Sequence, residues 1–458
     1  MNLIIQLILL IIALPAFGQD TRRELSYEAF IDQVMTQHPT AHIGDNIQES
    51  GEAVVMSARG EFDPKLFGDI NQKYFDNSQY YSNANGGIKI PTWFGVSAEA
   101  GYIVNDGVYL NPENRTPDAG LWYAGLRLEL VQGLIIDKRR AELKKAKVLR
   151  EGTGLEQRIL LNELNRDASI AYWKWAQAYN EVNIYREALQ NAQIRYNGIK
   201  SAAEFGDRPF IDTVEAVIVV KNRSIELSKA EVKYQNAELQ LEIYLWDQGF
   251  IPLELERVIP ATSEAQRKKY SHFDLDSLVS NHPYLRLNEL KIQKNLIDLK
   301  LKKEQLKPKL SLKYNALSEP VGNNPLVEYS PANYTWGASI AYPILSRRER
   351  GDVCLAKLKL ENQELMNAVV EVEIDYKIKV ALNNYVQSLE QFTILEELIE
   401  NNQMLYSAEI KLFNAGESSV FMVNSRENKL LKTQIEFIET QYNVNILKTE
   451  LEFMLMSF

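Results

Sequence analysis

The sequence predicts a mainly α-helical chain with a membrane β-barrel: long antiparallel coiled-coil hairpins joined to short strands that several copies must share. Three observations predict it. The chain carries one structural plan twice. Each copy of the plan holds helical stretches far longer than an ordinary core helix. Between them lie segments that alternate apolar and polar residues with the period of a strand.

The first element, "MNLIIQLILLIIALPAFG" at 1–18, reads as a secretory signal peptide: a short apolar core, Pro15, then a small-residue cleavage site. It is short for a bilayer span of about 20 residues. No later run is long and uncharged enough to cross a membrane as a helix, while a span by strands, whose signal is much weaker, stays open. Cys354 is the single cysteine, which excludes an internal disulfide and a cysteine metal cluster, and four scattered histidines give no metal site. The net charge of −10 argues against a nucleic-acid partner. No phosphate-binding loop, serine-nucleophile elbow or His-Glu-x-x-His motif occurs, so neither catalytic residues nor a cofactor are expected, and the chain does not read as an enzyme.

The duplication rests on four landmarks in the same order. "QHPT" at 37–40 matches "NHPY" at 281–284, and "FDPKL" at 62–66 matches "LKPKL" at 306–310, each pair 244 residues apart. Trp122 and Trp336 are 214 apart, and Gly206 and Gly416 are 210 apart. The change in offset places an insertion of about 30 residues in the first copy. The repeats divide the mature chain into 19–248 and 274–458, with a linking segment at 249–273.

Each repeat opens with a helix of moderate length, over 27–60 and 274–306. After a β region comes a very long helix. Between Gly351 and Gly416 lie 64 residues without Gly or Pro, a helix of about 96 Å. Its counterpart over 134–203 contains Gly152, Gly154 and Gly198, where the helix is expected to bend or thin out. Ile378, Leu382, Tyr385, Leu389, Phe392 and Ile399 form a coiled-coil seam. Further helices over 210–248 and 417–458 make each glycine-centred break the tip of an antiparallel hairpin, near 204–209 and 414–419.

Three strands are explicit. In "LWYAGLRLEL" at 121–130, Trp122, Ala124, Leu126 and Leu128 share one face. In "YTWGASIAYPI" at 334–344, Tyr334, Trp336, Ala338, Ile340 and Tyr342 do the same, and "LSLKYNA" at 310–316 alternates likewise. Such strands suit a wall between lipid and water, with Trp122, Tyr123, Tyr334, Trp336 and Tyr342 as interfacial aromatics. They are too few to close a barrel from one chain, and an open edge cannot sit in lipid, so copies must combine. The Asn-, Gly- and Tyr-rich stretch 76–118 reads as a surface loop, with "FGVSAEAGYIV" at 94–104 as part of that loop or a strand extension. Lys138-Arg139-Arg140 and Arg347-Arg348 with Arg350 fit a membrane edge or a plain solvated face equally.

This arrangement resembles the TolC family of outer-membrane efflux proteins. "LVQGLIIDKRRAELKKAK" at 130–147 is similar to the family's strand-to-helix junction. "FGDRPFIDTVEA" at 205–216 is similar to its tip motif, with Gly206, Asp212 and Ala216 at the matching positions. The resemblance implies a homotrimer whose copies each give four strands to one barrel in the outer-membrane lipid, with the helices as a tunnel through the periplasm. It implies a passive exit duct of a tripartite efflux or type I secretion system. A periplasmic adaptor and an inner-membrane pump would dock at the tips, here Gly206, Asp207, Pro209, Gly416, Glu417 and Ser418. It places 249–273 and the last residues in a band around the tunnel. Carboxylates past the second tip often gate the family's pore. Here those positions hold Met422 and Ser425, whereas the first tip offers Asp212 and Glu215 beside Arg208. The competing reading is a periplasmic coiled-coil structural or adaptor protein without a pore.

Overall fold

The computed structural model describes residues 23–255, 257–261, 265, 267–268, 275–320 and 329–456. The signal-peptide expectation at 1–18, and part of the 249–273 segment, lie outside them. In chain order the elements are β1 (Arg23–Leu25), α1 (Tyr27–Gln37), α2 (Pro39–Gly60), β2 (Lys65–Phe75), β3 (Ser78–Pro91), β4 (Val96–Asp106) and β5 (Leu121–Glu129). Next come α3 (Lys138–Glu204), α4 (Phe210–Glu242), β6 (Trp246–Asp247), β7 (Ile251–Pro252) and β8 (Val258–Pro260). The second repeat supplies α5 (Leu275–Ser280), α6 (Pro283–Gln305), β9 (Lys309–Ser318), β10 (Tyr334–Ala341), α7 (Arg347–Asn414) and α8 (Val420–Met454). No helix among the described residues is long and apolar enough to cross a membrane.

The chain divides into two compact units, each assembled from three separate stretches. The first holds Met1–Pro39, Asn165–Lys268 and Asn383–Leu451. Its core is aromatic: Phe30, Tyr172, Trp173 and Trp175 are fully buried, and Tyr27 stacks on Trp173 at 4.5 Å between ring centroids. The Tyr172 hydroxyl donates to the Leu25 carbonyl at 2.8 Å, which fastens β1, and β1 pairs in parallel with β8. Within this unit the seam continues through Tyr385 and Phe392, both buried, and Phe392 stacks on Phe437 of α8.

The second unit holds Thr40–Leu164, Lys269–Leu382 and Glu452–Phe458. Val279, Leu285, Ile374 and Ile378 form one core cluster, and Ile136, Ala141 and Leu301 another. The first long helix does not thin out at its glycines: α3 runs unbroken for 67 residues. Gly152 is instead a packing site, where Leu287 and Leu290 of α6 close to 3.4 Å of a would-be Cβ. The helices expected over 27–60 and 274–306 are each two helices. A proline at the first position of α2 and of α6 forces the preceding residue, His38 or His282, into an extended conformation. The matched His-Pro landmarks are therefore matched helix breaks. Burial lowers the His282 pKa, and its Nε2 donates to the Met454 carbonyl at 3.1 Å.

The sheet in this unit corrects the reading of 76–118. It has six antiparallel strands in the order β10-β9-β5-β4-β3-β2. The stretch 76–118 holds β3 and β4 rather than a surface loop; within it the turns at 76–77 and 92–95 and the segment 107–118 lack strand structure. Asp76 and Asn77, at φ 51° and 58°, make the two-residue turn between β2 and β3, a conformation that short polar side chains tolerate. The four strands per chain implied by the resemblance become six, because the insertion adds a complete hairpin between β2 and β5.

Candidate functional site

Two features carry the chemistry available to this chain: the paired hairpin tips of the first unit and the amphipathic sheet of the second.

The tips are built alike. After α3, the Gly206 amide donates to the Ala203 carbonyl and the Asp207 amide to the Ala202 carbonyl. After α7, Gly416 donates to Phe413 and Glu417 to Leu412 with the same spacing. Gly206 and Gly416 adopt φ of 84° and 78°. This is the Schellman closure, whose left-handed residue favours glycine. Pro209 sits one residue before α4, in extended conformation, and leads the chain back. Ser419 performs the same task for α8, accepting from the Met422 amide at 3.3 Å.

Around these turns each expected gate residue has a partner. Arg208 pairs with Asp212 at 3.6 Å and lies over the Phe413 ring at 4.2 Å. Glu215 accepts from the Asn424 side-chain amide at 3.1 Å. Ser418 donates to Glu409, which also pairs with Arg426. Asp212 and Glu215 lie on one flank of α4, but Arg208 and Asn424 bind them separately.

Sequence reasoning missed the group that ties the hairpins together. Arg195 of α3 makes a two-pronged bond to Glu427 of α8, at 2.9 Å and 2.5 Å. It also donates to Asn424 at 3.1 Å and to the Tyr406 hydroxyl of α7 at 3.1 Å. Burial alone would lower the Arg195 pKa, but the Glu427 bonds outweigh it and the net direction is upward. Burial and the Glu427 charge push the Tyr406 hydroxyl up, so it remains a donor. Since Asn424 also binds Glu215, one network joins α3, α4, α7 and α8. Beyond it, Phe205, Phe210, Ile211 and Phe421 are largely exposed at the turns. An aromatic on each side of the Gly206 turn was the available signal in the sequence.

The sheet has one apolar face. By strand alternation and pairing it carries Leu66 and Ile70 of β2, Ala84, Ile88 and Ile90 of β3, and Ala98, Ala100 and Val104 of β4. It continues through Trp122, Ala124, Leu126 and Leu128 of β5, Leu310, Leu312 and Tyr314 of β9, and Tyr334, Trp336, Ala338 and Ile340 of β10. This face is open: Leu66 is 85% exposed, Ile340 75% and Trp336 66%. Tyr342, just past β10, is exposed as well. Tyr123 does not belong with these aromatics. Alternation turns it to the polar face, where it is buried and its hydroxyl donates to Asn85 Oδ1 at 3.1 Å. That face also carries Lys65, Asp69, Lys89, Glu99, Arg127 and Lys313. Of the basic clusters, Arg140 is structural: its guanidinium donates to the Leu134 carbonyl at 3.0 Å and to that of Gly133, closing the loop between β5 and α3.

No protein-family model matches the sequence, and no relative is found among curated proteins. Solved structures do match. The outer-membrane channel OprN aligns with a TM-score of 0.70 at 14% identity, over 94% of this chain and 90% of that one. The Neisseria gonorrhoeae MtrE outer membrane channel, in its open state, aligns at 0.68 and 14% identity, over 93% of this chain and 88% of that one. The Campylobacter jejuni CmeC outer membrane channel aligns at 0.67 and 12% identity, over 93% and 85%. The chain has the fold of these outer-membrane channels.

Proposed function

We propose that three copies of this chain form an outer-membrane channel, the passive exit duct of a tripartite efflux or type I secretion system. The observation that carries this reading is the open sheet with one predominantly apolar, exposed face, in a chain with the fold of outer-membrane channels. Such a face is stable against lipid, and the unpaired edges require neighbouring copies. A coiled-coil structural protein without a pore has no use for that face. Native mass measurement of protein extracted from outer membranes should give three copies, and the purified assembly should conduct in planar bilayers. A soluble monomer without conductance would overturn the reading.

A periplasmic adaptor and an inner-membrane pump are the partners this reading requires. The tips at Gly206, Asp207, Pro209, Gly416, Glu417 and Ser418 would meet the adaptor, with exposed Phe205, Phe210 and Phe421 as apolar anchors.

The gate is placed at Asp212, Glu215 and Arg208. Three copies would bring six carboxylates to one zone, and acidic rings favour cations. Arg208 offsets the charge of Asp212, whereas Glu215 is bound by a neutral amide. Glu215→Gln should therefore reduce cation selectivity in single-channel recordings more than Asp212→Asn. Equal selectivity in wild type and in the doubly substituted channel would remove both from the gate.

A further inference from the structure

The inserted hairpin decides how wide the barrel is. We propose that β3 and β4 are full membrane-spanning staves, so that three copies close an eighteen-stranded barrel with each β10 paired to the β2 of the next copy. This rests on the trimeric channel reading above.

The registers are the first ground. Across all six strands Leu66, Ile88, Ala100, Ala124, Ala316 and Tyr334 stand in one row, all on the apolar face. A second row runs Ile70, Ala84, Val104. A slip of one residue would turn the apolar set of β3 or β4 inward. The inserted strands hold the one register that continues the outer face of β5. A hairpin standing in water above the membrane has no such requirement.

Length and end chemistry agree. β3 has 14 residues and β4 has 11, against the roughly 9–11 that a tilted strand needs to span. Their turn lies level with the helical ends of the neighbouring strands: the Glu129 amide at the end of β5 donates to the Gly95 carbonyl at 3.3 Å. Trp93 and Phe94 are exposed in that turn. At the other end stand Tyr74 and Phe75 of β2, Tyr80 of β3, Tyr102 of β4 against Trp122, and Tyr334 of β10. Aromatics at both ends of an apolar band are the mark of strands crossing a bilayer.

The polar face fastens the hairpin into the wall. Tyr123 of β5 lies across Gly101 of β4, where any Cβ would come within 2.6 Å of its hydroxyl oxygen, and reaches Asn85 of β3. Glu99 of β4 pairs with Lys313 of β9 at 3.3 Å, past Gly125 of β5. Each glycine lets a side chain bridge to the strand beyond.

Strand direction supplies the last ground. In a six-stranded antiparallel sheet β2 and β10 run oppositely, so a β10–β2 seam between copies is antiparallel like every other junction. An insertion of one strand would have made that seam parallel. Barrel diameter grows roughly linearly with strand number, so this barrel is about half as wide again as one of four strands per copy, in the range that leaves an aqueous channel.

The test places single cysteines at Ile88 or Ala100 in a Cys354→Ser background, each carrying an environment-sensitive fluorophore, in trimers reconstituted into phosphatidylcholine vesicles. Lipid-attached quenchers near the bilayer midplane should quench both labels strongly, and iodide should not. A label at Lys89, on the polar face, should behave oppositely. Iodide quenching at Ile88 and Ala100 in an intact trimer overturns the proposal. Absence of a trimer on native mass measurement overturns the channel reading instead.

Discussion

Gly125→Val is expected to abolish assembly of the channel. A Cβ on Gly125 would stand 2.1 Å from the Tyr314 carbonyl oxygen and 2.8 Å from Asn315 Cα. Both obstacles are backbone of β9, so no rotamer change relieves them. Relief means parting β5 from β9, the junction that joins first-repeat to second-repeat strands within the six-stranded sheet of one copy. The cost falls in the rare class above about 4 kcal/mol, where most single domains lose their folded population. Membrane fractions should contain little or no assembled Gly125→Val protein. The comparison variant is Gly154→Ala, where nothing lies within 4 Å of the new Cβ. It should assemble normally and gain up to about 1 kcal/mol from helix propensity. Wild-type yield and unchanged melting for Gly125→Val would mean that β5 and β9 are not paired in this register.

Why that junction matters was only half legible in the sequence. The strands at 121–129, 309–318 and 334–341 announce themselves by alternation, with Trp, Leu and Ile on one face. β3 does not. Its apolar face is Ala84, Gly86, Ile88 and Ile90 and its polar face is Asn83, Asn85 and Gly87, a composition that also describes a loop. Small residues suffice on a lipid-facing wall, because lipid demands only the absence of polarity, not a volume to fill. The signal of such a strand lies in its pairing with β2 and β4, which one-dimensional periodicity does not contain. The tips were legible because their requirement is local. A Schellman closure needs a residue at positive φ, and glycine at 206 and at 416 states that directly. The network behind them was hidden for the opposite reason: Arg195 and Glu427 are 232 residues apart, each one charge among many on helical faces.

That network yields the second large effect. Arg195→Ala removes a guanidinium whose partner, Glu427, is almost fully buried and keeps only the Tyr406 hydroxyl, at 3.3 Å. Breaking a buried ion pair by deleting one partner costs about 3–5 kcal/mol, because the remaining charge stays uncompensated. The same substitution releases Asn424, the residue that holds Glu215. The loss should be concentrated at the tips. Hydrogen exchange should accelerate strongly over about 196–216 and 406–428 while the aromatic core around Trp173 and Trp175 remains protected. Tyr406→Phe, which removes the hydroxyl's bonds to Arg195 and to Glu427 but no charge, should cost about 2 kcal/mol, less than Arg195→Ala. Arg195→Met with Glu427→Leu, which removes both charges and keeps volume, should recover most of the lost stability. If the tips narrow the duct as proposed, Arg195→Ala should also raise its resting conductance, and the double variant should return it toward wild type. Unchanged exchange at the tips in Arg195→Ala would show that the pair is solvated and does not join the hairpins; a double variant as unstable as Arg195→Ala would show that the loss comes from packing rather than from stranded charge.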